Sequence, residues 1–275
     1  MNIARTKNLP IGIFDSGVGG LTVLRALRET LPNEDLIYLG DTARLPYGTK
    51  SPTSIARYAC RATAHLQEQG IKLLVVACNT ASAVALDALH EQMHPLPVIG
   101  VVEPGAMAAV AARPSGSHLV LATEATVRLG AYRQAIEARD AAASVTELAC
   151  ELLVSLAEEG WLDGDIGIDI LRRYLDELDD DQRQPDCVIL GCTHFPLLRD
   201  TIAAVIDDGT VIVDSASTTA AVAAAALSDA GLLNTQTEPG VLTLLATDGA
   251  TRFARVGGQF LGEDLSPDDI RIVDL

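Results

Sequence analysis

Along most of the chain, short apolar runs alternate with longer segments whose apolar positions recur at helical spacing. Short unbroken apolar runs suit strands covered on both faces, and the periodic segments between them suit helices, so the pattern predicts an α/β fold with parallel sheets. In the first round, strand Ile11–Phe14 leads through the turn Asp15–Gly20 to a helix over Leu21–Leu31, ended by Pro32. Strand Leu36–Leu39, a helix over Ser51–Gln69 stopped by Gly70, and strand Leu73–Ala77 follow. A helix from about Ala81 to Met93, a short strand Val98–Val101 and a helix Glu103–Ala112 complete it.

A second round opens at His118–Ala122 with a strand, the turn Thr123–Thr126 and a helix over Arg128–Arg139. Strand Val145–Leu148, helices Glu151–Glu159 and Asp165–Leu178, strand Cys187–Leu190, a helix over Leu197–Ile206 and strand Val211–Val213 continue it. An alanine-rich helix around Ala220–Leu227, strand Val241–Leu245, helix Thr251–Leu261 and strand Ile270–Val273 close the chain. The two rounds read as a degenerate internal repeat. In each, an early strand ends at a turn rich in hydroxyls and carboxylates, and a later strand ends in a cysteine. The spacing is 63 residues from Asp15 to Cys78 and 69 from Thr123 to Cys192. The expectation is two pseudo-symmetric, doubly wound α/β domains, residues 1–98 plus 212–275 and residues 99–211, with a small-ligand site in the cleft between them.

The candidate chemistry sits at those two strand ends. Leu73–Ser82 reads LLVVACNTAS, and Val188–Pro196 reads VILGCTHFP. Each delivers one thiol and polar neighbours, Asn79 and Thr80 or Thr193 and His194, to the end of a sheet where α/β proteins bind ligands. Helix N-termini converging there lower a thiol pKa, and His194 beside Cys192 can tune its charge or relay a proton. Zinc is a poor alternative, because no CxxC or HxxxH partner completes four ligands. A phosphatase loop wants an arginine soon after its nucleophile, and Asn79–Leu86 has none. The turn DSGVGG lacks the G-x-G-x-x-G spacing of a dinucleotide site, but its backbone N–H groups form a ready anion site. Asp15 is out of place in a simple anion site; a ligand ammonium, or a proton-transfer role beside a thiol, accounts for it. The loop Asp41–Gly48, DTARLPYG, reads as a substrate-binding loop or an ordinary βα connection, and Glu158 as a solvated helix position or an auxiliary acid.

Length and charge narrow the class. The 275 residues suit two domains, and 48% apolar residues are enough for a sizeable core. The net charge of −17 argues against nucleic acid or an anionic membrane surface as partner. Met1–Pro10 lacks an apolar core segment, so no export signal is expected. Five cysteines without framework spacing then read as reduced cytoplasmic thiols, with Cys60, Cys150 and Cys187 structural.

At these residues the sequence resembles the cofactor-independent aspartate/glutamate racemases, most closely those acting on glutamate. The matching pieces are IGIFDSGVGGLTVLRAL at 11–27, YLGDTARLPYGTKS at 38–51, VVACNTASA at 75–83, GVVEPGA at 100–106, TEATVRLGAY at 123–132 and VILGCTHFPLL at 188–198. The resemblance implies interconversion of L- and D-glutamate for peptidoglycan synthesis, with no pyridoxal phosphate, no metal and a homodimeric state. It implies that Cys78 and Cys192 are the acid/base thiols, assisted by Asp15 and His194. Ser16, Tyr47, Gly48, Asn79, Thr80 and Thr193 join them as substrate contacts, and Asp41 and Glu158 as auxiliary acids. Leu129 stands where the family usually has serine, and Cys150-Glu151 where many relatives have Cys-Pro. Aspartate or another amino acid on the same scaffold stays open as the substrate. So does a non-catalytic amino-acid binding protein, which needs the crevice but no pair of thiols.

Overall fold

The computed structural model describes residues 6–275; the export-signal expectation rests partly on residues 1–5, which lie outside the described residues. Ten strands among the described residues form two wholly parallel sheets. The first has the order β10-β9-β2-β1-β3-β4, from β1 (Ile11–Asp15), β2 (Leu36–Gly40), β3 (Leu73–Val76), β4 (Val98–Gly100), β9 (Leu242–Ala246) and β10 (Ile270–Ile272). The second has the order β6-β5-β7-β8, from β5 (Ser117–Ala122), β6 (Ser144–Ala149), β7 (Cys187–Gly191) and β8 (Val211–Asp214). Numbered within its own round, each half therefore carries the order second–first–third–fourth, and β9 and β10 extend the first sheet beyond β2. The internal repeat read from the sequence is visible as this shared topology. The sheets divide the chain slightly beyond the expected boundaries: β4 runs on to Gly100 in the first, and β8 runs on to Asp214 in the second.

Every residue of β1, β3 and β7 is buried, as their unbroken apolar character requires. Alternate residues point to opposite faces. Ile11, Ile13, Leu73 and Val75 face one way, and Phe14, Leu74 and Val76 the other. The inward face of the first sheet and that of the second, with Leu119, Leu121, Val188 and Leu190, belong to one continuous apolar core. Helices α1 (Leu21–Thr30), α2 (Pro52–Glu68), α3 (Asn79–Met93) and α4 (Val102–Ala112) connect the first round. Helices α5 (Glu124–Leu129), α6 (Ala131–Glu137), α7 (Glu151–Glu159), α8 (Asp165–Leu175) and α9 (Arg199–Ala203) serve the second. α10 (Ala216–Asp229) and α11 (Ala250–Leu261) belong to the return to the first sheet, and both pack on α1.

Two helix expectations are corrected. The periodic stretch 128–139 is two helices, because Gly130 adopts φ +61° and ends α5 before α6 begins. The stretch 197–206 is a 3₁₀ turn, Phe195–Leu198, followed by the short α9, which ends at Ala203. At the edge of the first sheet away from its strand C-termini, a buried ion pair fastens the crossover from the second half. Lys72 pairs with Glu34 and donates to the carbonyls of Lys7 (2.6 Å) and Leu232 (3.0 Å), while Glu34 accepts the Asn234 N–H at 2.7 Å.

Candidate active site

The strand C-termini of both sheets open on one cavity of about 390 Å³. Its wall includes Ser16, Tyr47, Gly48, Cys78, Asn79 and Thr80 from the first half, and Thr123, Glu151, Glu158, Cys192, Thr193 and His194 from the second. The two sequence-predicted thiols therefore share one chamber. Arg252, far along the chain on α11, reaches it as well.

On the first side, Cys78 follows β3 and serves as N-cap of α3, its sulfur accepting the Ala81 N–H at 3.4 Å. Serine, threonine, aspartate or asparagine would fill that position better, so a cysteine there gives up capping strength for its thiol. The helix-dipole expectation is corrected at this residue: burial and the nearby Asp15 carboxylate push the thiol up to about 12, outweighing the Ser16 hydroxyl and the helix N–H. The sulfur donates instead to the Ser16 hydroxyl at 3.4 Å.

The DSGVGG turn is also other than expected. Its N–H groups wrap its own aspartate, Gly17 donating to Asp15 Oδ2 at 2.8 Å, rather than standing open to a ligand. Burial raises the Asp15 pKa; His194 and the N–H groups of Gly17, Gly20 and Ser16 offset it in part. Asp15 Oδ1 stays buried without a hydrogen-bond partner, and so does Asn79 Oδ1. The other end of the Asn79 amide donates to the buried Tyr132 hydroxyl at 2.7 Å. Asn79 belongs to the cavity wall and Asp15 does not, so the orphan acceptor of Asn79 is the one that calls for a donor from the ligand.

On the second side, Cys192 follows β7 and leads into the 3₁₀ turn, so no α-helix N-terminus stands behind it. Its partner is His194, with Nδ1 3.7 Å from the sulfur. His194 Nε2 lies 3.2 Å from Glu158 Oε1, and Glu158 Oε2 accepts from Arg252 at 2.8 Å. Burial works against the imidazolium, yet hydrogen bonds to Cys192 and Glu158 and their charges carry the His194 pKa up to about 10. Glu158 is held below the usual carboxylate range by its bond to His194 and by Arg252, against the effect of burial.

Asp41, the other auxiliary acid, is set back from the chamber. It is fully buried and accepts the Tyr47 hydroxyl at 2.6 Å, Arg44 at 2.9 Å and Thr247 at 3.0 Å. It shapes the Tyr47–Gly48 loop rather than lining the cavity. Cys150 and Cys187 are buried and Cys60 half-buried, all three outside the cavity wall.

The halves meet tightly at the site. Thr80 and Thr123 share a hydrogen bond at 2.9 Å, and Thr22 donates to the Thr193 carbonyl at 3.3 Å. A methyl group on Gly19 would stand 2.3 Å from Thr193 Oγ1. Sequence reasoning missed four residues here: Thr123, Tyr132, Glu151 and Arg252. Thr123 occupies the repeat position of Asp15, which was a usable signal. Glu151, a departure from the family's usual motif, accepts the Glu124 N–H at 2.6 Å on the cavity wall. Tyr132 and Arg252 sit on helices and carried no local signal. Among the described residues, no group of three or more His, Cys, Asp or Glu is arranged to hold a metal, and no helix is long and apolar enough to cross a membrane.

Comparison with known proteins agrees with this geometry. A glutamate racemase of Geobacter metallireducens is 48% identical over 255 residues, 93% of each chain. The crystal structure of glutamate racemase from Francisella tularensis in complex with D-glutamate superposes with a TM-score of 0.90 at 35% identity, covering 98% of both chains. The Thermus thermophilus glutamate racemase structure in complex with beta-chloro-D-alanine gives a TM-score of 0.86 at 41% identity, again over 98% of both. The sequence profile of the Asp/Glu/Hydantoin racemase family matches residues 11–225, from β1 through both cysteine strands into α10. Paired thiols at equivalent ends of two like sheets, near full-length likeness and a family match spanning both halves lead to one assignment: the chain belongs to the Asp/Glu/hydantoin racemase family.

Proposed function

We propose that the protein is a cofactor-independent glutamate racemase of the cytoplasm that supplies D-glutamate for peptidoglycan synthesis. The observation that carries the reading is the pair of unlike thiol environments on one chamber wall. Cys78 is a capped, buried thiol next to a carboxylate, and Cys192 is a thiol against an imidazole backed by a carboxylate. The two half-sheets, read as two domains, act as the two sides of the reaction.

In the direction that starts with Cys192 as the base, the His194 imidazolium stands beside its sulfur, and Cys78 holds its proton because burial and Asp15 disfavour its charge. The Cys192 sulfur takes the α-proton from one face of the amino acid as the Cys78 S–H delivers its proton to the other. The product is the mirror-image amino acid, a Cys192 thiol and a Cys78 thiolate, so atoms and charge balance. The reverse reaction starts from that state. Asn79 Oδ1, a buried acceptor without a partner on the chamber wall, receives the substrate ammonium, and the Asp15 carboxylate outside that wall adds negative charge. The hydroxyls of Ser16, Thr80 and Thr193 and the Tyr47–Gly48 loop hold the carboxylates, which the overall negative charge does not attract. Asp15 and His194 reset the thiols next to them.

Incubation of the protein with L-glutamate in deuterated water tests this. D-glutamate carrying α-deuterium is expected early, while the remaining L-glutamate stays largely unlabelled, because each face has its own thiol. Deuterium appearing equally in both enantiomers from the start would mean a single base serving both faces. Racemisation of aspartate in preference to glutamate would reassign the substrate, and tight binding of glutamate without turnover would make the protein a binding module.

A further inference from the structure

One helix outside the paired motifs reaches both members of the His194–Glu158 pair. On α11, Arg252 and Phe260 lie eight residues apart, close to one face of the helix with Val256 between them. Phe260 is buried, with its ring edge-on to His194 at 5.1 Å between centroids. Arg252, about half exposed, donates to Glu158 Oε2. α11 lies between two strands of the first sheet, β9 and β10, whereas Glu158, His194 and Cys192 all come from the second half. The contacts therefore form an unbroken line across the cleft: Arg252 to Glu158 (2.8 Å), Glu158 to His194 (3.2 Å), His194 to Cys192 (3.7 Å).

We propose that Arg252 is a positioning residue for the Cys192 thiolate: it anchors one oxygen of Glu158 so that the other stays on His194, and it contributes a positive charge at the far end of the line. A glutamate on a helix face has several rotamers, and solvent competes for the carboxylate. With Oε2 held by Arg252, the rotamer that serves His194 is the favoured one. The anchor comes from the opposite half, so the line is complete only when α11 and α7 are docked, which couples closure of the cleft to the charge state of the thiol. Arg252 touches neither reacting atom, and its effect passes through Glu158.

This inference rests on the racemase reading, and its test separates the two. Arg252→Gln, Arg252→Lys, Glu158→Gln and the Arg252→Gln/Glu158→Gln double variant are assayed as full-length protein. In each, kcat and KM are measured from both enantiomers, and iodoacetamide labelling of Cys192 and Cys78 is followed against pH by peptide mass spectrometry. The charged and titratable groups around Cys192 are His194, Glu158 and Arg252, with Cys78 and Glu151 on the same chamber wall, Asp15 facing His194 from β1, and Cys150 and Tyr132 close by. Arg252→Gln removes a positive charge from this set, so Cys192 labelling shifts to higher pH while that of Cys78 does not. kcat falls roughly threefold to tenfold, between an exposed ion pair and a charge-assisted hydrogen bond. Arg252→Lys keeps most of both properties. In the Glu158→Gln background, Arg252→Gln adds nothing further. Multiplying effects in the double variant, a kcat within twofold of the parent, or a lower kcat with unmoved Cys192 labelling would each overturn the proposal. If the parent protein does not racemise glutamate, the proposed function fails, and the labelling profiles still decide the role of Arg252.

Discussion

Gly19→Ala tests whether the site exists only when the two halves close on each other. Gly19 does not have a positive φ, so alanine there needs no left-handed backbone. What it adds is a methyl group 2.3 Å from Thr193 Oγ1 and 2.6 Å from His194 Cε1 and Nδ1. These distances are about 1 Å inside an ordinary contact. His194 cannot swing aside cheaply, being held by Cys192, Glu158 and the edge contact with Phe260. Forcing a methyl into such a packed place costs about 1–3 kcal/mol. If the two halves part slightly to relieve the clash, that energy appears as a roughly five- to hundredfold fall in kcat/KM. The enantiomers have equal free energies, so the fall must be the same starting from L- or D-glutamate. Each sheet keeps its own strand pairing, so the thermal transition should move by only a few degrees. Initial rates from both enantiomers, with a thermal melt, give the answer. A kcat/KM within twofold of the parent would refute the tight docking of the DSGVGG turn on Thr193 and His194. A collapse of the fold would show that the contact belongs to the core rather than to the cleft.

Other perturbations probe separate terms. At pH 8 a thiol pushed up to about 12 is ionised in about one molecule in ten thousand, so iodoacetamide should label Cys192 at least tenfold faster than the equally buried Cys78. Glutamate should protect both and leave Cys60 unprotected; equal rates for Cys78 and Cys192 would count against the thiol–imidazolium pairing. Asp15→Asn should abolish most activity yet raise the melting temperature at pH 8. The folded-state pKa of Asp15 lies above its unfolded value, so the ionised carboxylate costs stability at every pH above the folded pKa, and the cost fades as pH falls towards about 4. A stabilisation that does not shrink on acidification would exclude that cause. Lys72→Met strands the buried Glu34 and should cost about 3–5 kcal/mol, or roughly 10 °C of melting temperature. Activity at 25 °C should survive, since the pair lies at the opposite end of β3 from Cys78; loss of turnover without loss of stability would contradict the separation.

What the sequence determined by itself follows from local rules. Short unbroken apolar runs place the strands and period-3.6 patterns the helices, so β1, β2, β3, β7 and α7 fall within a residue or so of expectation. The repeated strand–turn and strand–cysteine spacing is matched by the strand order that the two sheets share. The two thiols and their immediate polar neighbours were legible because a strand end fixes where the next few residues go. Contacts between segments distant in sequence were decided only by the tertiary structure. Sequence alone read the DSGVGG turn as an open anion site, whereas in the fold Asp15 curls back into its N–H groups. It expected helix N-termini to lower the thiol pKa; burial beside Asp15 reverses that for Cys78, and beyond Cys192 the chain enters a 3₁₀ turn rather than an α-helix. The resemblance made Asp41 an auxiliary acid; in the fold its oxygens are taken by Tyr47, Arg44 and Thr247. Arg252 stands 60 residues beyond Cys192 on a helix that reads as ordinary surface, and only the docking of α11 against α7 brings its guanidinium to Glu158. Desolvation and long-range pairing depend on what surrounds a group in three dimensions, and no spacing along the chain encodes that surrounding directly.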